Sequence, residues 1–430
     1  MVIEDTDVLP AEDRLEAAHV PVIVIGGGQA GLSASYYLQR QGIEHLVLEK
    51  NSIGHSWREE RWDSFCLVTP NWQCLLPDFP YRGDDPDGFM LKDQIVEYIQ
   101  AFAAHVKAPI REGVAVTALG RHPDGRFALR TTRGDYTADK VILAISGYHI
   151  PSIPRVGERL PSRLLQMHSQ QYRNPEQLPD GAVLVVGTGQ SGCQIADDLH
   201  RVGRQVHLAV GTAPRSPRQY RGRDALDWLH EMGLYDITVD QHPLREKVRL
   251  KENHYFSGRD GGLEIDLRQF AVEGMKLYGM LSAIEGEVVA FADDLKQNLD
   301  AADASYMKIR TQIDDYIAAK GVSAPAAPAY GPVWRPPAEP ATLDCAAAGV
   351  KTVIWCTGFR PDWRWIDLPA FNGDGYPMHD RGVCQVGGLY VIGLPWLTTW
   401  GSGRFSGLAR DVEHVVDHLA LRMTPALAAA

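Results

Sequence analysis

Val22-Ile23-Val24-Ile25-Gly26-Gly27-Gly28-Gln29-Ala30-Gly31 is the stretch on which the fold turns. Four aliphatics predict a buried strand, Gly-x-Gly-x-x-Gly a tight turn, and the residues beyond a helix. Gly26 permits the turn, Gly28 lets backbone approach a pyrophosphate, and Gly31 lets helix and strand pack closely. The phosphates then sit on the free N–H groups of the helix N-terminus. A second copy follows at Val183-Leu184-Val185-Val186-Gly187-Thr188-Gly189-Gln190-Ser191-Gly192. One glycine-rich turn is common; two in strand–turn–helix context point to two dinucleotides on one chain.

Outward from the first copy, the pattern predicts a strand over 21–26, a helix over about 29–41 and a strand Glu44-His45-Leu46-Val47-Leu48-Glu49. Glu49 closes that strand 18 residues after Gly31, where a carboxylate accepts adenosine ribose hydroxyls; the alternative is a surface Glu. The turn- and aromatic-rich run from Gly54 to Trp72 suits a loop over a flat ring system, or one that fills core. A helix over about 91–106 and strands at 113–119, 126–132 and 140–145 follow. The proline-marked Ile150-Pro151-Ser152-Ile153-Pro154 reads as a crossing between domains.

After the second copy, the strand Gln205–Val210 ends without a carboxylate, and Arg215 and Arg218 follow. Guanidinium groups match a 2′-phosphate, which favours NADPH over NADH; the alternative is two solvated loop arginines. From about 221 to 335 the dinucleotide pattern lapses into a helical insertion, with helices over 266–275 and 293–320 and a short strand over 288–291. Proline-rich stretches at 323–328 and 336–340 read as stiff linkers. The insertion covers a substrate pocket or forms a subunit contact, and a homodimer is left open. Val350–Phe359 is another apolar strand, expected to return to the first sheet. Leu389–Pro395 reads as a strand, and Gly401, Gly403 and Gly407 precede a helix over about 408–421 whose N-terminus carries partial positive charge. The expected fold is α/β with two Rossmann-like dinucleotide-binding domains: 1–153 and 337–430 form the first, 154–336 the second.

A net charge of −11 argues against nucleic-acid or anionic-membrane partners. No apolar run reaches membrane-spanning length, and the N-terminus lacks a basic-then-apolar leader. Six scattered cysteines without a C-x-x-C pair fit a reducing compartment, so a soluble cytoplasmic protein is expected, with no metal site.

Together these motifs resemble the flavin-dependent monooxygenases of the two-dinucleotide-binding class, which includes flavin-containing monooxygenases, plant YUCCA-type enzymes and bacterial CzcO-like proteins. The resemblance implies that Gly26, Gly28, Gln29, Ala30, Gly31, Glu49 and Lys50 bind FAD, and that Gly187, Gly189, Gln190, Ser191 and Gly192 bind NADPH. Gly54-His55-Ser56-Trp57-Arg58 resembles a second flavin-contact segment, which adds Ser56, Trp57 and Arg58. The stretches Trp62–Asn71 and Leu76–Pro80 resemble the segment near the isoalloxazine, which adds Thr69. Cys356-Thr357-Gly358-Phe359 resembles the A-T-G-Y/F motif, and Thr357, Gly358 and Gly393 complete the cofactor set. The interdomain fingerprint F-x-G-x-x-x-H-x-x-x-Y/F falls on Ser162, Leu164, His168 and Tyr172, of which the last two match. Baeyer–Villiger enzymes carry Trp at the position of Tyr172, so that activity is not expected. His168 reads as a structural hydrogen-bonding residue.

The implied reaction uses NADPH and O2 to insert one oxygen into a small organic substrate, at nitrogen or sulfur, through a C4a-hydroperoxyflavin. The cofactor carries the difficult chemistry, so no acid–base dyad is required. Asn71 is the catalytic candidate, as a polar contact at the flavin edge, the alternative being a turn residue before Trp72; Trp396 and Trp400 either line an aromatic-friendly pocket or, as the ten tryptophans favour, pack in the core. The alternatives are an NAD(P)H oxidase or reductase without oxygen insertion, YUCCA-like oxidative decarboxylation of an aryl-2-keto acid, and a flavin-bound sensor or scaffold. A disulfide reductase needs paired cysteines, whereas Cys66 and Cys74 stand eight apart across Pro70.

Overall fold

The computed structural model describes residues 18–336 and 341–423. The expected lead-in over 1–20 and the linker over 336–340 lie largely outside that range.

A nine-stranded sheet grows from Ala18–Ile25, which pairs in parallel with His45–Leu48 on one side and Tyr136–Leu143 on the other. Ile110–Arg111 and Leu389–Val391 extend it in parallel at either flank. The run reads as continuous aliphatics because both faces are covered. Val22 and Val24 pack with Leu32, Leu38, Ile99, Phe102 and Val412, from helices Gln29–Arg40, Lys92–Val106 and Leu408–Ala420. Ile23 and Ile25, pointing the other way, meet Leu119, Phe127 and Leu129 of the antiparallel excursion Val116–Arg121 and Phe127–Thr131.

The second sheet has five strands, all parallel, in the order Leu165–His168, Val350–Trp355, Ala182–Val186, Val206–Ala209, Lys276–Tyr278. It repeats the two-faced arrangement of the first. Val183 and Val185 pack with Ile195 and Leu199 of helix Gln190–Arg201. Leu184 and Val186 pack with Ile284, Val289 and Phe291 of an antiparallel meander.

Two expectations are corrected. Val350–Trp355 lies inside the second sheet, between Leu165–His168 and Ala182–Val186, not in the first. Val353, Ile354 and Trp355 are fully buried, and a strand buried on both faces reads identically whichever sheet it joins. The domain boundary at 337 therefore moves: Thr342–Asp344 and Val350–Trp355 belong to the second unit. The segment 221–335 also carries more strand than the one short strand expected over 288–291, which is present. It supplies the strand Lys276–Tyr278 and the hairpin Leu281–Glu285/Val288–Phe291 beside the long helix Leu295–Lys320.

The chain crosses between units at Ile150–Pro151 and Phe359–Arg360, and the two crossings pair antiparallel as a double-stranded hinge. The insertion reaches back over the first unit. The Val239 N–H donates to the Thr398 carbonyl at 2.8 Å, and Trp72 Nε1 donates to Asp227 at 3.0 Å. These contacts join the insertion to the first unit, and each glycine turn follows the carboxyl end of its strand, Ile25 in one sheet and Val186 in the other, where open α/β folds place ligands.

Candidate active site

The two glycine turns are near-duplicates in space. Gly26 and Gly187 have φ of +105° and +102°, a region that penalises any Cβ. A Cβ on Gly31 would lie 1.8 Å from the Gly26 carbonyl oxygen, and one on Gly192 1.9 Å from that of Gly187. Helix and turn touch at both places, so only glycine fits. By contrast, a Cβ on Gly28 or Gly189 would meet nothing within 4 Å. These middle glycines cap their helices with an open face, as a cradle for pyrophosphate requires.

Around the first cradle, Glu49 accepts from the Gly27 N–H at 2.7 Å and from the Asn51 N–H at 2.8 Å. This fixes its carboxylate at the strand end beside the turn, with lone pairs to spare for hydroxyls. Ala30 is buried and Gln29 half-buried, and a Cβ on Gly393 would come 2.8 Å from the Ala30 Cβ. Gly393 thus brings the last strand against the same helix start. Lys50 and Ser56 are exposed. Arg58 donates to Ser52 Oγ and to the Ile53 carbonyl, both at 3.1 Å. Trp57 stacks on Phe405 at 6.0 Å and lies tilted 5.9 Å from Phe65, so three aromatic rings cluster beside this segment.

Asn71 is 4% exposed and braces its own loop: Nδ2 donates to the Asp85 carbonyl at 2.9 Å and Oδ1 accepts from the Met90 N–H at 2.8 Å. Thr69 is half-buried in the same loop. Gln73, two residues on, is 2% exposed, and neither polar atom of its carboxamide has a partner. Leaving a buried amide unpaired costs roughly 1–3 kcal/mol, so this carboxamide has hydrogen-bonding capacity that no protein group meets. Sequence reading passed over Gln73 because nothing in its neighbours marks it as buried.

In the second cradle Gln190 does not face the turn freely: its Oε1 accepts from the Phe256 N–H at 3.1 Å and its Nε2 donates to the Phe256 carbonyl. Ser191 is half-buried at the helix start. The reading of Arg215 and Arg218 as free phosphate ligands is corrected. Arg215 is 2% exposed and meets Glu264, Asp266 at 2.8 Å and Asp303 at 3.1 Å, while its guanidinium lies 4.4 Å from the Tyr306 ring centroid. Arg218 is 1% exposed, paired with Asp224 and donating to the Val68 carbonyl at 2.7 Å. These carboxylates lie 6 to 88 positions away, on the insertion.

The hinge absorbs the remaining predicted residues. Thr357 Oγ1 donates to the Ser152 carbonyl, and the Gly358 carbonyl accepts from His168 Nε2 at 2.9 Å. His168 Nδ1 accepts from the Gln170 N–H, so the proton sits on Nε2; burial lowers the pKa and keeps the ring neutral. His168 is thus a structural fastener at the crossing. Cys356 backs the second cradle: a Cβ on Gly187 would lie 2.7 Å from its carbonyl oxygen.

Asp198 was invisible in the sequence. On the helix of the second cradle, it accepts from Ser64 at 2.6 Å, Tyr172 at 2.7 Å and Arg259 at 2.8 Å. One carboxylate thereby joins the flavin-side loop, the fingerprint tyrosine and the insertion. The six cysteines are free and buried, and burial pushes the thiols of Cys66 and Cys74 up to about 11 and about 12. Such thiols are not nucleophilic at neutral pH.

Two open glycine cradles and a carboxylate at the first strand end fit a pair of dinucleotide cofactors. Fold and site define a flavoprotein oxidoreductase with two dinucleotide sites. Residues 23–231 match the family model described as pyridine nucleotide-disulphide oxidoreductase. The chain is 32% identical to the uncharacterized oxidoreductase CzcO-like of Geobacillus kaustophilus over 404 residues, covering 93% of this chain and 98% of that one. It is 30% identical over 217 residues to indole-3-pyruvate monooxygenase YUCCA1 of Oryza sativa, covering 50% and 53%. The flavin-containing monooxygenase from Stenotrophomonas maltophilia shares the fold, with a TM-score of 0.63 at 18% identity over 94% of this chain and 99% of that one. The chain belongs to the CzcO-like oxidoreductases. It is an enzyme of the FAD- and NADP(H)-dependent kind. Among the described residues no helix is long and apolar enough to cross a membrane.

Proposed function

We propose that this chain is an NADPH-dependent monooxygenase that inserts one atom of O2 into a small organic substrate, at nitrogen or sulfur. The observation that carries the reading is the pair of matched cradles, Gly26–Gly31 and Gly187–Gly192, on two units joined by paired crossings. Bound FAD supplies hydride acceptance and O2 activation. The chain's residues do the rest. Gly28 and Gly189 admit the two pyrophosphates, Glu49 takes the FAD ribose, and Gln73 satisfies its carboxamide on the flavin. Trp57, Phe65 and Phe405 keep water from the ring. Asn71 acts by holding the 85–90 loop rather than by touching the reacting atoms. The inert thiols of Cys66 and Cys74 count against disulfide reduction. Six unpaired buried thiols favour a reducing, cytoplasmic compartment.

The test is anaerobic reduction of the holoenzyme by NADPH followed by rapid mixing with O2. A transient absorbance distinct from both oxidised and reduced flavin, with oxygenated product when amines or thioethers are present, supports the proposal. Direct reoxidation with stoichiometric peroxide identifies an oxidase instead.

A further inference from the structure

The two cradles correspond residue by residue and differ in where their carboxylate comes from. Ile25 pairs with Leu48 and Val186 with Ala209, so Val210 stands where Glu49 stands, and Thr212 where Asn51 stands. In the first cradle the carboxylate is local: Glu49 accepts from the Gly27 and Asn51 N–H groups. In the second, Thr188 replaces Gly27, and its hydroxyl accepts from the Gly211 N–H at 2.9 Å. A carboxylate reaches this strand end all the same. Thr212 Oγ1 donates to Glu252 at 3.1 Å, and Glu252 belongs to the insertion, 40 positions along the chain.

Glu252 is exposed, but the chain around it is moored to the cradle. Residues 252–256 run from the loop after the strand to the start of the cradle helix. The Tyr255 N–H donates to the Pro214 carbonyl at 3.1 Å, and Tyr255 forms a parallel β-bridge with Arg215. The main chain of Phe256 pairs with the carboxamide of Gln190, first residue of helix Gln190–Arg201. Asn253 Oδ1 accepts from Arg404 at 2.9 Å. Among the described residues no arginine, lysine or histidine lies within ion-pair distance of Glu252. Lys308 faces His254 of this segment without pairing with Glu252. Arg215 and Arg218 are already engaged by Glu264, Asp266, Asp303 and Asp224. The second strand end thus offers an unpaired carboxylate and no free guanidinium. Such a carboxylate accepts ribose hydroxyls and repels a 2′-phosphate.

We propose that Glu252, delivered by the insertion, takes the coenzyme ribose at the second cradle and sets coenzyme preference, so that NADH serves beside NADPH. The assignment rests on the proposed function only in that the second cradle holds the nicotinamide coenzyme. A free 2′-hydroxyl finds an acceptor at Glu252, whereas a 2′-phosphate brings like charges together there. The test is anaerobic flavin reduction of the holoenzyme by each coenzyme, with 5′-AMP and 2′,5′-ADP as competing probes. Wild type is reduced by NADH with an efficiency within about tenfold of that for NADPH. Glu252→Gln raises the NADPH-to-NADH efficiency ratio at least about fivefold, and it tightens 2′,5′-ADP while 5′-AMP binds no better. A ratio that does not rise in Glu252→Gln overturns the proposal, as does wild-type selectivity for NADPH beyond the stated range. Gly189→Ala, assayed alongside, loses both coenzymes if the second cradle holds them, so a failure at Glu252 is told apart from a wrong cradle. No oxygen is present, so the outcome is independent of whether the enzyme oxygenates.

Discussion

Gly28 and Gly31 stand three residues apart and have opposite constraints. At Gly31 the neighbour is the protein's own carbonyl; at Gly28 it is empty space. Gly31→Ala is therefore expected to lower thermal stability and flavin content together. Gly28→Ala should leave the melting temperature of the apoprotein within about 2 °C while reducing FAD affinity, since only the pyrophosphate meets the new methyl. Flavin-to-protein absorbance ratio and apoprotein melting separate the two. Arg215 behaves differently again. Arg215→Ala would leave Asp266 and Asp303 facing each other unscreened, costing about 3–5 kcal/mol, with the NADPH/NADH preference unaltered. Chemical unfolding and coenzyme kinetics measure both. The glycines were legible because the motif and the geometry are the same local fact. The partners of Arg215 were not, because they lie on the insertion and only folding brings them together.

At the scale of elements, helix Gln190–Arg201 does two jobs: its start forms a cradle, and Asp198 near its end takes the three donors that tie the units together. Asp198→Asn should retain FAD yet slow flavin reduction by NADPH several-fold, because Ser64 and Tyr172 lose their common anchor. Rapid-reaction reduction rates at saturating NADPH test this. The last helix, Leu408–Ala420, carries Asp411, 1% exposed with neither oxygen in hydrogen-bond geometry to a donor. Burial raises its pKa, and the nearby Ser402 and Thr398 hydroxyls offset that only in part. A carboxyl whose native pKa is raised binds its proton more tightly when folded. Its contribution is most favourable below the unfolded pKa and is lost as pH rises through the folded one. Asp411→Asn should therefore melt higher than wild type at pH ~7, with the gap closing near pH ~4. Helix and strand types followed from periodicity, and the long helix Leu295–Lys320 begins two residues after its expected start. Sheet membership did not: Val350–Trp355 is apolar on both faces, and strand order is a property of pairs, not of one strand.

At the scale of the whole molecule, two similar units are joined by paired crossings, and the insertion hydrogen-bonds back to the first unit. The duplication of the glycine turn made this two-cofactor plan readable. The contacts of the insertion were not readable, since Trp72 and Asp227 come from segments whose neighbours in sequence say nothing of one another. The central claim is a division of labour between the two cradles, FAD in the first and NADPH in the second. Gly189→Ala and Gly28→Ala place a methyl in open space in one cradle each, so they test it without disturbing the packing. The decisive measurement is anaerobic flavin reduction by NADPH in the purified variants, alongside bound FAD. The account predicts that Gly189→Ala is isolated yellow, with full FAD, and that NADPH reduces it at least about 100-fold less efficiently than wild type. Gly28→Ala is predicted to be isolated with little or no flavin. A Gly189→Ala protein reduced as fast as wild type, or a Gly28→Ala protein retaining its full complement of FAD, would contradict it.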